Sequence, residues 1–188
     1  LEHPGGVHAP GNKTTRREQS LMIIRKEGFK DAAGIRLVHE AAFEQPNEAN
    51  LVDALREDEA AQPVFGRVAV TDKGEIVGHV LLSRIHIDDI PSLALAPVGV
   101  LPVWQRKGIG SELIRQVIED AREAGESHIV VLGHDSYYPQ FGFERAIDYG
   151  IEPPFPVPPE VFLVLALERN ALRGVSGIVR YSPPFSAV

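Results

Sequence analysis

The apolar positions of this chain follow two periods, and the places where the period changes mark its elements. Residues 21–25, LMIIR, form a short β-branched run that predicts a first strand, beginning beside Met22, the only methionine. Ile35, Val38 and Ala42 then recur at helical spacing behind Asp31, a residue type suited to an N-cap, and Pro46 and Asn47 end that helix. A second helix is predicted over residues 49–57, with Leu51, Val52 and Leu55 on one face and the acidic cluster Glu57, Asp58 and Glu59 on solvent. Strand patterns follow at 64–70 and 76–87, joined by the turn Asp72-Lys73-Gly74. Another follows at 93–100. Pro97 cannot donate to a ladder and Gly99 weakens one, so a bulge or a parting of strands is expected there.

The helix predicted over residues 108–124 has the clearest pattern. Ile109, Leu113, Ile114, Val117, Ile118 and Ala121 share one face, charged residues occupy the other, and Gly125 supplies the stop. The apolar run 129–132 reads as a buried parallel strand, so strand, helix and strand make a right-handed βαβ unit. In the stretch 133–146, Asp135 or Ser136 is placed to cap one helical turn through Tyr138 to Phe141, and Phe143 opens a further strand. A proline-rich loop (151–159), a strand (161–167) and an edge strand near Ile178 to Tyr181 complete the pattern. The fold class is α/β, with a mixed, mostly antiparallel sheet of about seven strands and flanking helices.

Composition narrows the function. The chain has 188 residues, no cysteine and a formal net charge of −7. Disulfides, thiol nucleophiles and cysteine metal sites are therefore excluded, and broad binding to nucleic acid or anionic membranes is disfavoured. No apolar run approaches the ~20 residues of a membrane span, and a cytoplasmic location is expected. His86 and Asp88 share a strand face but lack a third ligand at metal spacing, so no metal is expected. Residues 1–20, rich in Gly, Pro and polar side chains, read as a disordered leader or expression remnant, 21–170 as a single domain, and 171–188 as an extension packed on it. The apolar C-terminal strand and the tail GVSGIVRY offer an edge for a homodimer.

The chemistry concentrates at residues 98–115, VGVLPVWQRKGIGSELIR. Gly108 and Gly110 let backbone N–H groups approach a ligand, the following helix adds its unpaired N–H groups and dipole, and Arg106 and Lys107 add positive charge. A dinucleotide fingerprint would need a third glycine where Leu113 stands, and a P-loop would need Gly-Lys-Ser/Thr. Glycines used only for turning are the plainer alternative.

Gln105-x-x-Gly108-x-Gly110, after an apolar strand and opening an amphipathic helix, resembles the acetyl-CoA loop of the GNAT N-acetyltransferase superfamily. Tyr138-x-x-x-Gly142-Phe143 resembles that superfamily's segment after the fifth strand, and LGHDSYYPQFGF is similar to a branch of small bacterial N-acetyltransferases. The resemblance spans about residues 21–167. It implies a splayed central pair of strands with the pantetheine of acetyl-CoA between them, pairing with backbone groups of Val98 and Val100 on either side of Gly99. It places the pyrophosphate on Arg106, Lys107, Gly108, Ile109, Gly110 and Ser111, with Gln105 closing the loop, and the carbonyl polariser at the N–H of Val98 or Val100.

Acetyl transfer to an amine requires loss of the amine's proton, stabilisation of an oxyanion and a proton for the leaving thiolate. Tyr138 fills the resemblance's tyrosine position and is the candidate proton donor. Many members of the superfamily carry a Glu on the fourth strand where this chain has Leu93, Ala94 and Leu95, so the base is sought in His134, His79, His86, Asp88 or a water chain. The expected activity is N-acetylation of a small-molecule or peptide amine, by direct attack in a ternary complex. A non-catalytic acyl-CoA-binding or regulatory module is the alternative, and a nucleotide-binding protein a third.

Overall fold

The computed structural model describes residues 22–187, so the expectation for residues 1–20 lies outside the described residues. Strand β1 (Met22–Lys26) pairs antiparallel with β2 (Phe65–Thr71), β2 with β3 (Ile76–Ile87), and β3 with β4 (Ile90–Val100). β4 then runs parallel to β5 (His128–Leu132), whose far side pairs with β8 (Phe162–Ala166). Two-residue strands, β6 (Glu144–Arg145) on β8 and β7 (Ile151–Glu152) on β9 (Gly177–Arg180), raise the number among the described residues to nine. The architecture is the expected mixed, mostly antiparallel α/β sheet. The strand expected to offer a dimer edge is paired within the chain: β9 bonds to the end of β3 at His86 and Ile87 and to β7 at Ile151 and Glu152.

The two faces follow from strand alternation. Ala69, Val80 and Leu82 pack into a core with α3 (Ile109–Glu123), while their neighbours Val68, Val70 and Leu81 pack with α1 (Ala32–Phe43) and α2 (Asn47–Glu57). Helix α3 thus covers one face of the sheet, and α1 and α2 cover the other. A second cluster beside α1 and α2 collects Ala94, Val130, Phe162 and Val179, so β9 belongs to the core.

Two local expectations changed in detail. Asp31 precedes α1 but does not cap it with its side chain. Its carboxylate instead takes two hydrogen bonds from Arg25, at 2.7 and 2.9 Å, and one from the Gly28 N–H at 2.7 Å, which ties β1 to the turn before the helix. The turn at Tyr138–Phe141 is not capped by a side chain either; the His134 carbonyl receives the N–H groups of Tyr137 and Tyr138. Asp88 also has a structural task, accepting the Ile178 N–H at 2.9 Å.

Candidate active site

The site begins where β4 and β5 part. They are paired only at Leu93 with Ile129 and Ala94 with Val130. Beyond that, the register of β4 on β3 shifts between Val80 and Leu82, with Ala96 and Pro97 opposite Leu81. This is the irregularity that Pro97 predicted. After the bulge, Leu101 donates to the Val77 carbonyl at 2.9 Å, which makes that pair a hydrogen-bonded one. Hydrogen-bonded and non-bonded pairs alternate along an antiparallel ladder, so the pairs Val100 with Gly78 and Val98 with Val80 are non-bonded. Val98 and Val100 therefore turn their N–H and carbonyl groups away from β3, towards the opening that β5 has left.

The loop after β4 is folded back on that opening. Gln105 donates its side-chain amide to the Val100 carbonyl at 3.0 Å, closing the loop on the strand. Arg106 (φ 61°) and Gly108 (φ 82°) both adopt the left-handed conformation, and Gly108 stands at the N-cap of α3. The first N–H to bond within the helix is that of Glu112, to the Gly108 carbonyl at 3.1 Å. The N–H groups of Ile109, Gly110 and Ser111 precede it and have no intrahelical partner. Exposed Arg106 and Lys107 flank them, and Lys107 lies over the partly buried Trp104 ring at 5.1 Å. No atom of the described residues stands within 4 Å of where a Gly108 Cβ would project. An open cradle of free N–H groups with cationic flanks fits a pyrophosphate.

Tyr138 sits at the other side of the opening. It is buried against Phe141 and Phe143 and lines the cavity described below. Its ring lies across Gly133, where a Cβ would come within 2.1 Å of it, so only glycine admits the tyrosine there. Burial, with Tyr137 as a second cause, pushes its hydroxyl up to about 12, so it holds its proton at neutral pH. Tyr137 instead shares a hydrogen bond with Ser111 at 2.9 Å, linking the turn to the first turn of α3. His134 is exposed at the start of this turn and does not line the cavity. Among the described residues no cluster of His, Cys, Asp or Glu could hold a metal ion.

His79, another base candidate, is wholly buried in a polar chain that sequence reasoning missed. Its Nε2 lies 2.6 Å from Glu27 and its Nδ1 lies 2.7 Å from His39 Nε2. Glu27 also receives Arg56 at 2.8 Å. Burial alone would raise the Glu27 carboxyl, but the hydrogen bonds from His79 and Arg56 outweigh it and hold it below the usual range. An ionised Glu27 only accepts, so His79 donates from Nε2, accepts from His39 at Nδ1, and leaves His39 Nδ1 as a lone-pair acceptor. That atom has no partner among the described residues and packs where Gly99 would carry a Cβ, 2.8 Å away. Burial holds both imidazoles neutral, His39 at about 3. No local signal marks this chain, because its members come from positions 27, 39 and 79, just after β1, on α1 and on β3.

A cavity of about 740 Å³ opens along the parted strands. Its lining combines Ala94 to Val98 of β4, Val130 and Leu132 of β5 and Tyr138 with residues of α1, α2, β9 and the C-terminal tail.

A splayed parallel pair beside a glycine loop that opens an amphipathic helix defines an acyl-CoA type of site, and comparison with known proteins agrees. The profile of the acetyltransferase (GNAT) family matches residues 33–143, and the chain belongs to that family. The uncharacterized N-acetyltransferase YjhQ of Escherichia coli K12 is 43% identical over 135 residues, covering 69% of this chain and 74% of YjhQ. YhbS of the same organism, also an uncharacterized N-acetyltransferase, is 33% identical over 167 residues, 88% of this chain and 99% of YhbS. The crystal structure of YhbS in complex with CoA superposes with a TM-score of 0.84 at 31% identity, covering 89% of this chain and 93% of that one. A GNAT family acetyltransferase from Brucella melitensis in complex with acetyl-CoA gives a TM-score of 0.73 at 35% identity, covering 88% and 99%.

Proposed function

We propose that the protein moves the acetyl group of acetyl-CoA to a primary amine by direct attack in a ternary complex. The observation that carries this reading is the backbone of Val98 and Val100, turned from β3 to the split with only the Val100 carbonyl taken, by Gln105, beside the free N–H groups of α3. In it, the pantetheine amides pair with Val98 and Val100, and the pyrophosphate rests on the loop from Arg106 to Ser111. That related chains are solved in complex with CoA and with acetyl-CoA supports acetyl-CoA as the ligand. The N–H of Val98 or Val100 then polarises the thioester carbonyl, so the charge that develops on its oxygen is met by a preorganised donor. As the amine lone pair forms the C–N bond and the C–S bond breaks, Tyr138 gives its proton to the thiolate. Alignment of the two substrates supplies much of the rate.

The base proposed for the amine's proton is His134. Being exposed on the turn outside the cavity lining, it would receive that proton through solvent. A pH–rate inflection that His134→Ala leaves unmoved removes it. The absence of a carboxylate at Leu93, Ala94 and Leu95 favours one competing reading, an acyl-CoA-binding module without turnover. Thermal shift with CoA, acetyl-CoA and ATP, followed by CoA release over a panel of amines, decides. Stabilisation by acetyl-CoA together with turnover supports the enzyme, and stabilisation with no turnover supports the binding module. Stabilisation by ATP alone overturns both.

A further inference from the structure

The residues lining the cavity fall into two groups. One comes from β4, β5 and Tyr138, and the reading above gives it to the pantetheine arm and the thioester. The other comes from α1, α2, the proline-rich loop, β9 and the tail, and nothing in the cofactor reading uses it. Its side chains are mainly Phe43, Leu51, Phe155, Tyr181 and Phe185. Phe155 stacks on Tyr181 with ring centroids 6.0 Å apart, and Tyr181 meets Phe185 at 4.9 Å. These contacts join the loop to the tail in one aromatic wall.

Two charged residues, Glu48 and Arg180, also line it. The Arg180 guanidinium is already engaged, donating to the Asp88 carbonyl from Nε at 2.9 Å and to Asp89 at 3.0 Å. Glu48 is different. It accepts the side-chain amide of Gln45 at 2.9 and 3.1 Å and forms no salt bridge among the described residues. A carboxylate has room for further donors after one amide. It stands in the first turn of α2 and faces the same cavity as the apolar wall.

We infer that the acetyl acceptor is a primary monoamine on an apolar or aromatic body, its ammonium drawn in by Glu48 and its body held by the wall of Phe43, Phe155 and Tyr181. A second ammonium on the acceptor would lie on that wall with no partner, and a carboxylate would face Glu48 itself, so polyamines and amino acids are disfavoured. Glu48 acts here in recognition, and the nitrogen turns to the thioester once it has lost its proton. This inference rests on the acetyltransferase reading.

The test is CoA release followed with a thiol reagent, which the cysteine-free chain does not itself consume. The probes are 2-phenylethylamine and n-hexylamine against spermidine, kanamycin and glycine. We expect kcat/KM for the first two to exceed the others by about tenfold or more. Glu48→Gln should raise KM for 2-phenylethylamine about tenfold while KM for acetyl-CoA stays put. Phe155→Ala, at a half-exposed position, should lower kcat/KM for the aromatic amine more than for n-hexylamine. A preference for spermidine, kanamycin or glycine, or an unmoved KM in Glu48→Gln, overturns the inference and leaves the enzyme standing. If no amine turns over, the acetyltransferase reading fails. Binding of 2-phenylethylamine to the acetyl-CoA-loaded protein, followed by NMR, then tests the pocket directly. Saturable binding weakened by Glu48→Gln supports it, and no binding overturns it.

Discussion

Tyr138 and Gly133 show how one side chain's role depends on another's absence. Tyr138→Phe keeps the ring in place and removes only the proton, so it is expected to lower kcat by about a hundredfold with the affinity for acetyl-CoA preserved. Tyr137→Phe, which loses its bond to Ser111, should have the smaller effect on kcat. If the two effects are reversed in steady-state kinetics, the assignment within the Tyr137–Tyr138 pair is wrong. Gly133→Ala places a methyl 2.1 Å from the Tyr138 ring, which must move, so this variant is expected to lose both kcat and thermal stability. The tyrosine was legible from its spacing to Gly142 and Phe143. The need for Gly133 was not, because the clash exists only after the turn at Tyr138–Phe141 folds the ring back over β5.

The buried histidines set a pH dependence at the same scale. His39 titrates near 6.5 when unfolded and at about 3 when folded, chiefly because burial disfavours its charged form. Between those values the unfolded chain binds the extra proton. The contribution is therefore whole above pH 6.5 and is lost as pH falls towards 3, by about 1.4 kcal/mol per pH unit for each such group. His79, lowered by burial, acts in the same direction. Urea unfolding between pH 7 and 5 should show stability falling on acidification, with a shallower dependence in His39→Gln. An equal slope in that variant would assign the acid sensitivity elsewhere.

At the scale of elements, α3 both heads the proposed phosphate cradle and clamps the sheet. Its apolar face packs on the sheet through Leu113, Ile114, Val117 and Ile118, and Asp120 receives two hydrogen bonds from Arg67 of β2, both at 2.7 Å. Arg67 also reaches Gln116 at 3.1 Å. Asp120→Ala leaves a mostly buried guanidinium with only Gln116 and is expected to cost about 2–3 kcal/mol in denaturant unfolding. A loss below about 0.5 kcal/mol, the size of an exposed pair, would show that solvent replaces the contact. The helix itself was legible, since its period is strong and Gly125 (φ 79°) ends it as expected. The ion pair was not, because Arg67 and Asp120 meet only when α3 crosses the face of the sheet.

For the whole molecule, the proposed seat between the parted strands would make acetyl-CoA an additional packing partner. A ligand that binds only the folded state stabilises it by mass action, by about 2.7 kcal/mol at a hundredfold excess over Kd. Acetyl-CoA is accordingly expected to raise Tm in a saturable way, and Gly108→Val, which strains a left-handed position in the cradle, should weaken that shift. A Tm unmoved by acetyl-CoA would remove the cofactor site from the split.

The sequence by itself determined the alternation of elements, the glycine loop at the head of α3, the irregularity at Pro97 and Gly99, and the tyrosine turn. Each of these is encoded within a few residues by periodicity, missing N–H groups or the absence of a Cβ. Only the tertiary structure decided that Val98 and Val100 face the split, because that depends on which pairs of the β3–β4 ladder are bonded. It alone brought the aromatic wall and Glu48 to one cavity and joined Glu27, His79 and His39 beside Gly99. Those residues lie far apart in the chain, and the energy that couples them, from burial, desolvation and charge, exists only once the sheet has brought them together.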